Sequence, residues 1–499
     1  MAAGTGYGDG GGHSSPRTVE FTVEAWALER VDKIFKDPVH DSIPLYWRLV
    51  QMLIDTPEFQ RLRRIRQLGT AFGVYHGAEH SRFGHSLGAF HILNRVLTHL
   101  REMGFALPEE TACTAAVAAL LHDVGHGPFS HALEGTLTPG VGHESWAARV
   151  ILDPETRIHQ VLAAADPDLP AQVVALLSEG EGTIPFLVSL VSSQLDVDRM
   201  DYLLRDALYT GTLYGRFDLE RVIHTLTLCR GRVVFVEKGV PSAEEYVLAR
   251  YYMYWQVYFH KTTRSEELLL RRAWARAVEL FRAGALAEHE ILPSLTPFLR
   301  GEPSLDEYLA VDDVDVWMAF KRWRYADDPI LQDLAGRLLD RRLLKPVFKT
   351  QRSLLPADRL PAAAEVVQKA GYDPRYYFLT DTARDVPYDY YTEAEEEAAR
   401  REPVASTPAA VAAAGGVPLA GGPGELRAPS RRQQRVEPIL VLDGQGRLRE
   451  LSKLSDVIRA LVSRERTAVN VFVPEECREE VASILGEVDD PVRRSGPGP

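Results

Sequence analysis

Cysteine is almost absent from this 499-residue chain: Cys113, Cys229 and Cys477 lie far apart and form no CxxC pair. That excludes a disulfide scaffold and a thiolate zinc knuckle, and it fits a reducing cytosol. Long apolar runs are missing too. The longest, Ala115 to Leu121, falls far short of the ~20 residues a membrane helix needs, so no membrane partner is expected. The opening stretch, MAAGTGYGDGGGHSSP, has neither a basic n-region nor an apolar h-region, and reads as a flexible Gly/Ser tail rather than a signal peptide. A cytoplasmic location follows as the expectation. Positive charge is in deficit, with 57 Lys and Arg against 70 Asp and Glu and a net charge of −13. This disfavours a nucleic-acid coat protein and leaves nucleic acid as a partner that charge does not indicate, although a local basic pocket stays open. What is present, 45% hydrophobic and 25% charged residues, is globular, and the length gives room for roughly two to four domains.

The patterning predicts a mostly α protein: a helical core with a smaller α/β C-terminal region. A tail over 1–19 precedes a core over 20–290, followed by a helical and mixed extension over 291–392. Glu393, Glu395, Glu396 and Glu397 then open a low-complexity linker over 393–436, rich in Ala, Gly and Pro. Residues 437–487 alternate strand, helix, strand, helix as a small α/β appendage, and 488–499 form a tail. Thr56-Pro57-Glu58 reads as a helix start, with Phe59, Leu62, Ile65 and Leu68 following at helical spacing. Pro108-Glu109-Glu110-Thr111 starts a second helix whose buried run, Ala112–Leu121, is broken by Gly125, Gly127 and Pro128. Residues 232–236 beside Gly231 predict a hairpin, 244–283 a helix, and Lys345–Lys349 a strand.

Histidine is concentrated. Nine of the fifteen lie between 76 and 143, where even spacing would place about two; a metal or phosphate site uses such density and a surface helix does not. The sharpest element is His122-Asp123 at the end of the apolar helix, with a Gly-Pro turn behind it that leaves both side chains at a cleft. A neutral imidazole beside a carboxylate suits a divalent cation. His85 and Asp198 are the candidates for two further ligands. Two histidines and two aspartates would leave coordination positions open for water and a substrate oxygen. Taken one at a time, these residues also read as a capped helix end, a structural hydrogen-bonder and a solvated acid. The order H…HD…D, with His126 and His131 close by, favours the metal site.

The stretches KIFKDPVHDSI (33–43), DTPEFQRLRRIRQLG (55–69), HSRFGHSLG (80–88), LLHDVGHGPFSHALE (120–134), HES (143–145), LDVDRMDYLLRDA (195–207) and YFHK (258–261) run collinearly over about 230 residues. In them the chain resembles the HD superfamily of metal-dependent phosphohydrolases. More narrowly it resembles the deoxynucleoside triphosphate triphosphohydrolases, a group that includes vertebrate enzymes with a sterile alpha motif domain, which this chain lacks. The resemblance implies an HD-domain core and a divalent metal ion (Mg, Mn, Fe, Co, Ni or Zn) on His85, His122, Asp123 and Asp198. It implies that Arg82 contacts the α-phosphate, that His126 stands beside the scissile bond, and that His131, Glu134 and His143 form the acid/base and phosphate-binding group. Arg199, Tyr202 and Asp206 would hold triphosphate and sugar, Gln67 and Leu68 would crowd the sugar against a 2′-hydroxyl, and Arg250 and Tyr258 would add contacts. Arg199 and Glu134 depart from the vertebrate enzyme, which has lysine and aspartate there.

These roles suit the side chains. Arg82, Arg199, Arg205 and Arg250 offer bidentate donors for phosphate oxygens, histidine gives a proton near neutral pH, and the i to i+3 spacing of His131 and Glu134 lets the carboxylate orient the ring. Lys33, Asp55, Gln60 and Arg63 suggest a second nucleotide pocket. In the resembling family this cluster binds an activating guanine nucleotide between subunits, which implies a homo-oligomer, dimer or tetramer. The alternative for the same residues is a helix cap at Asp55 with surface charges. For the whole chain the function implied is hydrolysis of a dNTP substrate to deoxynucleoside and inorganic triphosphate. The alternatives are an HD phosphohydrolase or nuclease acting on another nucleotide or a single-stranded nucleic acid end, and a non-hydrolysing nucleotide sensor.

Overall fold

The computed structural model describes residues 21–178, 183–350, 356–385, 388, 438–462 and 466–486; the expected tails and the linker lie outside the described residues. The first elements are a hairpin of β1 (Lys33–Asp37) and β2 (Asp41–Leu45), then α1 (Arg48–Ile54) and α2 (Pro57–Arg61). Thr56 caps α2 through its side chain, with Pro57 at the first helical position, as the sequence reads. The helix expected to run on through Leu68 stops early. Leu62–Arg64 tightens into a 3₁₀ turn, Ile65 is extended, and the Arg66 N–H donates to Asp313 at 3.0 Å instead of to its own helix. A tertiary acceptor has overridden local propensity.

Helices α3 (Arg82–Glu102), α4 (Glu109–Leu121), α5 (His143–Leu152), α6 (Arg157–Ala165), α7 (Leu169–Leu177), α8 (Pro185–Val191), α9 (Val197–Thr210) and α10 (Leu219–Thr225) build the core. The Ala-rich α4 is buried from Thr111 to Leu121 and packs against α3, and α3 in turn packs against α9. Ala side chains let these backbones approach closely, so residues at the start of α3, the end of α4 and the start of α9 can meet. The predicted hairpin forms from β3 (Leu226–Cys229) and β4 (Arg232–Val236), turning through Arg230 and Gly231, both at positive φ. The helix expected over 244–283 divides into α11 (Val240–Met253), a π turn (Tyr254–Tyr258) and α12 (Lys261–Arg282).

Beyond α12, helices Thr296–Arg300, Leu305–Leu309, Asp313–Trp323 and Pro329–Leu339 lead into β5 (Lys345–Thr350) and β6 (Leu379–Asp385), and later to β7 (Leu440–Leu442), β8 (Leu448–Glu450) and β9 (Arg466–Val473). The described strands of this late stretch join sheets begun earlier in the chain. β7 pairs with β4 and carries β8, while β9 lies between β5 and β6. The physical reason is that an isolated short strand leaves its ladder unpaired, and two sheet edges already stand in the preceding chain. The two hydrophobic clusters show the same interlock. One gathers α1–α11 with Val441 and Ile458. The other gathers α12, the later helices and Val471–Val473, together with Phe129, Leu133 and Trp146 from the earlier chain.

Candidate active site

His85 lies in the first turn of α3 and is fully buried, and His122 caps the C-terminus of α4. Their Nε2 atoms face each other at 3.1 Å. His85 Nδ1 donates to Asp201 Oδ2 at 2.8 Å and His122 Nδ1 donates to the Ala119 carbonyl at 2.8 Å. Each ring is thus held with Nε2 turned towards one point. Asp198 Oδ1, from the first turn of α9, lies 2.9 Å from His85 Nε2 and 3.6 Å from His122 Nε2. Asp123 closes the group, 3.7 Å from His85 Nε2 and 3.4 Å from His122 Nε2. His85, His122 and Asp198 thus turn ligand atoms to within 4.8 Å of one another, and Asp123 stands beside them.

The residues fit a divalent cation. Two carboxylates and two neutral imidazoles sum to two negative charges, in a nitrogen and oxygen set that suits borderline to hard first-row ions. Burial alone lowers the His85 pKa, yet its hydrogen bonds to Asp198 and Asp201 and the charge of Asp123 raise it to about 10. A proton is drawn into a site whose lone pairs otherwise oppose one another. A divalent cation meets the same electrostatic demand and displaces that proton.

Behind His85 is a residue that sequence reading missed. Asp201 is wholly buried and accepts from His40 Nε2 at 2.7 Å, His85 Nδ1 at 2.8 Å, and Arg205 Nε and Nη2 at 2.8 and 3.0 Å. Burial pushes its carboxyl pKa up, but Arg205, followed by the histidine bonds, holds it well below the usual range. His40 arrives on the β1–β2 turn, whose Asp37 accepts the His40 N–H and ion-pairs with Arg205. Arg205 is therefore buried among carboxylates and does not face the cleft, a correction to the sequence reading that offered it to phosphate. α3 comes close enough only because residue 88 is glycine: a Cβ there would stand 1.8 Å from Asp201 Oδ1. The one signal in the sequence was the spacing of Asp198 and Asp201, three apart on one helix.

On the other side of Asp123, Arg82 donates Nη1 to Asp123 Oδ2 and Nε to Ser130 Oγ at 2.7 Å. His126 Nδ1 stands 3.0 Å from Asp123 Oδ1, and its ring stacks on His143 at 4.0 Å between centroids. Burial first, then the charge of Arg82, holds the His126 pKa well below the ordinary value, so the ring is neutral. Glu134 bridges the remaining pair, accepting from His131 Nδ1 at 2.8 Å and His143 Nδ1 at 2.7 Å. Burial raises its pKa, but these bonds outweigh burial and keep it ionised. His131 is 66% exposed, so its free Nε2 is open to a ligand. Ring nitrogens of His126, His131 and His143 come within 4.8 Å of one another, a cluster able to take a cation or, when protonated, an anionic oxygen.

The turn that carries these groups is strained. Phe129 and Ser130 sit at φ +57° and +49°, a left-handed pair that costs about 1–3 kcal/mol per residue. Asp313, also missed in sequence, holds it by accepting the Phe129 N–H at 2.8 Å.

Along the cleft beyond His85 lie Tyr202, at 6.4 Å ring to ring, and Tyr258, in edge contact with Tyr202. The π turn delivers Tyr258 so that its hydroxyl donates to Asp206 Oδ2 at 2.7 Å, while Asp206 Oδ1 meets His80 Nε2 at 2.8 Å. The Gln67 N–H bonds the His80 carbonyl, which sets Gln67 and the adjoining Leu68 beside this group. Arg199 lies against Asp196, and Arg250 stacks over Tyr254 at 4.5 Å.

The residues expected for the second pocket form two pairs. Lys33 Nζ is 3.8 Å from Asp55 Oδ1, Arg63 Nε donates to Gln60 Oε1 at 2.8 Å, and Arg63 stacks on Phe83 at 3.5 Å. Thr56, not Asp55, caps α2, so the Asp55 carboxylate is not spent on a cap.

Comparison with known proteins adds to this geometry. Residues 82–176 match the HD domain model and 217–292 the HD associated region. YwfO of Bacillus subtilis is 35% identical over 448 residues, covering 89% of this chain and 93% of that protein. Human deoxynucleoside triphosphate triphosphohydrolase SAMHD1 is 27% identical over 361 residues, covering 64% of this chain and 55% of its own length. The chain thus spans about half the length of the vertebrate enzymes it matches. Among solved structures, a phosphohydrolase from Bacteroides thetaiotaomicron is 29% identical with a TM-score of 0.71, covering 88% of this chain and 99% of that one. A hypothetical protein from Aquifex aeolicus is 25% identical with a TM-score of 0.65, covering 91% and 100%. No described helix is long and apolar enough to cross a membrane.

Proposed function

This chain belongs to the HD-domain family of phosphohydrolases, and from that premise we propose that it hydrolyses deoxynucleoside triphosphates to deoxynucleoside and inorganic triphosphate. One observation carries the reading. Asp123 stands 3.4 Å from His122 and 3.0 Å from His126, so a candidate cation cluster and an imidazole–carboxylate cluster share one wall. A bound divalent cation supplies Lewis-acid polarisation of a phosphoryl oxygen.

The rest is the work of this chain's own residues. A water oxygen bonds to the α-phosphorus as the bond from phosphorus to O5′ breaks; the water gives up a proton to solvent, and solvent returns one to His131 after turnover. His131, its Nδ1 tied to Glu134, delivers a proton from Nε2 to the departing O5′; an exposed ring backed by a carboxylate is suited to carry that proton. The neutral His126 donates a hydrogen bond to a phosphate oxygen beside the scissile bond, and His143 holds the His126 ring and Glu134 in register. Arg82 neutralises charge at the α-phosphate while keeping Asp123 in place. Arg199 and Arg250 reach the outer phosphates. Tyr202, Asp206 and Tyr258 pack the sugar, and Gln67 and Leu68 crowd its C2′ position.

A guanine nucleotide bridging copies of the chain at Lys33, Asp55, Gln60 and Arg63 is the regulatory part of the reading, supported by an Asp55 carboxylate that caps no helix and lies 3.8 Å from Lys33. A dNTP panel with Mn²⁺, Mg²⁺ or Co²⁺, run beside Asp123→Ala, tests the whole. The expected result is triphosphate release by the parent protein and none by the variant. Turnover by Asp123→Ala, or inert dNTPs beside a cleaved nucleic acid end, would replace the reading.

A further inference from the structure

The turn Gly125–Ser130 is gripped by a group from outside the cation cluster. Arg61 is 2% exposed, and its guanidinium donates Nη1 to the His126 carbonyl at 2.8 Å, Nε to the Val311 carbonyl at 2.9 Å and Nη2 to the Tyr308 carbonyl at 3.3 Å. The Tyr308 hydroxyl completes the clasp by donating to the Gly125 carbonyl at 2.8 Å. All three Arg61 bonds go to backbone carbonyls, and Asp312 and Asp313 supply only longer-range charge. A buried cation held this way is an expensive means of joining two segments that apolar packing could join. Its geometry has a use, however. Neither ring nitrogen of His126 makes a well-formed hydrogen bond, although Nδ1 stands 3.0 Å from Asp123 Oδ1. The ring's aim is therefore set by stacking on His143 and by the backbone from which it projects, and Arg61 fixes that backbone.

We propose that Arg61 is a positioning residue for hydrolysis. With Tyr308 it fixes the His126 backbone, and it thereby makes residues 308–311, which carry Tyr308 and Val311 of the second hydrophobic cluster, part of the working site. The inference rests on the role given to His126 in the proposed function. A clasp of three carbonyls orients a ring only while the planar fork spans all of them, and lysine, a point charge, cannot do so.

The test uses the full-length protein loaded with diamagnetic Mg²⁺ and compares Arg61→Lys and Tyr308→Phe with the parent for metal content, folded fraction, kcat, KM and the ¹⁵N imidazole resonances of His126. Both variants are expected to keep the parent's metal content and a KM within about threefold, while kcat per folded chain falls roughly 30- to 100-fold in Arg61→Lys and less in Tyr308→Phe. The His126 resonances shift in both. Unchanged kcat and unchanged His126 resonances overturn the proposal, as does a loss of activity in the folded variants fully accounted for by lost metal. Should Arg61→Lys fail to fold, Tyr308→Phe decides alone. Should the parent leave every dNTP intact, the functional reading fails while the His126 resonances still judge Arg61.

Discussion

Replacing Asp201 by asparagine removes one buried charge from the wall behind His85 and leaves the volume almost unchanged. The carboxylate accepts four hydrogen bonds, from His40, His85 and twice from Arg205. An amide has one accepting oxygen, and its NH₂ would face donors. His85 Nδ1 then lacks a firm acceptor, and Nε2 is no longer fixed towards the shared point. Loss of such a supporting carboxylate weakens metal binding about 10- to 100-fold, which is about 1.4–2.7 kcal/mol. Stability falls as well. Breaking a buried ion pair from one side costs about 3–5 kcal/mol, and the lower end applies because Arg205 keeps Asp37. The Asp201 carboxyl is held below its ordinary pKa when folded, so its stabilisation is present above the unfolded value and fades as pH falls through the folded one. The variant should therefore show a flatter acid limb. Calorimetric titration of apo protein with Mn²⁺, beside urea unfolding of the same apo protein, separates affinity from stability. Mn²⁺ affinity within twofold of the parent would refute the claim that Asp201 aims His85.

Gly88→Ala places a Cβ 1.8 Å from Asp201 Oδ1, so it should reproduce the metal loss of Asp201→Asn without touching a ligand; elemental analysis of the purified variant checks this. Glu266 is buried and its pKa is pushed up to about 7 by burial, so the parent loses stability as pH rises from about 4.5 through 7. Glu266→Gln should remove about 3 kcal/mol of that slope, read from urea midpoints at pH 5 and pH 8. Asp55→Ala should abolish guanine-nucleotide activation of dTTP turnover and any accompanying rise in light scattering, with metal content unchanged; a parent protein whose dTTP turnover is hyperbolic and indifferent to dGTP or GTP would remove the regulatory pocket.

The residues that gather at the candidate cation cluster were legible because imidazole and carboxylate at a helix end have few other uses in such number, and His122-Asp123 carried its own helical context. Asp201 was not, since an acid three residues after Asp198 looks solvated until α3 is packed over it through Gly88. Arg205 misled for the same reason: its charge suits phosphate, but its partners Asp37 and Asp201 come from elements that only the fold brings together. The helix drawn through Leu68 failed because Arg66 finds an acceptor in Asp313, far along the chain. The late strands were visible as apolar runs, yet their partners in earlier sheets were not, because strand pairing is set by which edges stand open and not by local pattern.

Hydrolysis of dGTP by the Mn²⁺-loaded protein in H₂¹⁸O, followed by ³¹P NMR, tests the central claim most directly. Attack at the α-phosphorus with departure of O5′ puts one ¹⁸O on a terminal phosphorus of inorganic triphosphate and none in deoxyguanosine, and neither product forms with His122→Ala. Release of pyrophosphate, orthophosphate or a nucleoside monophosphate, or label-bearing triphosphate from His122→Ala, would contradict it.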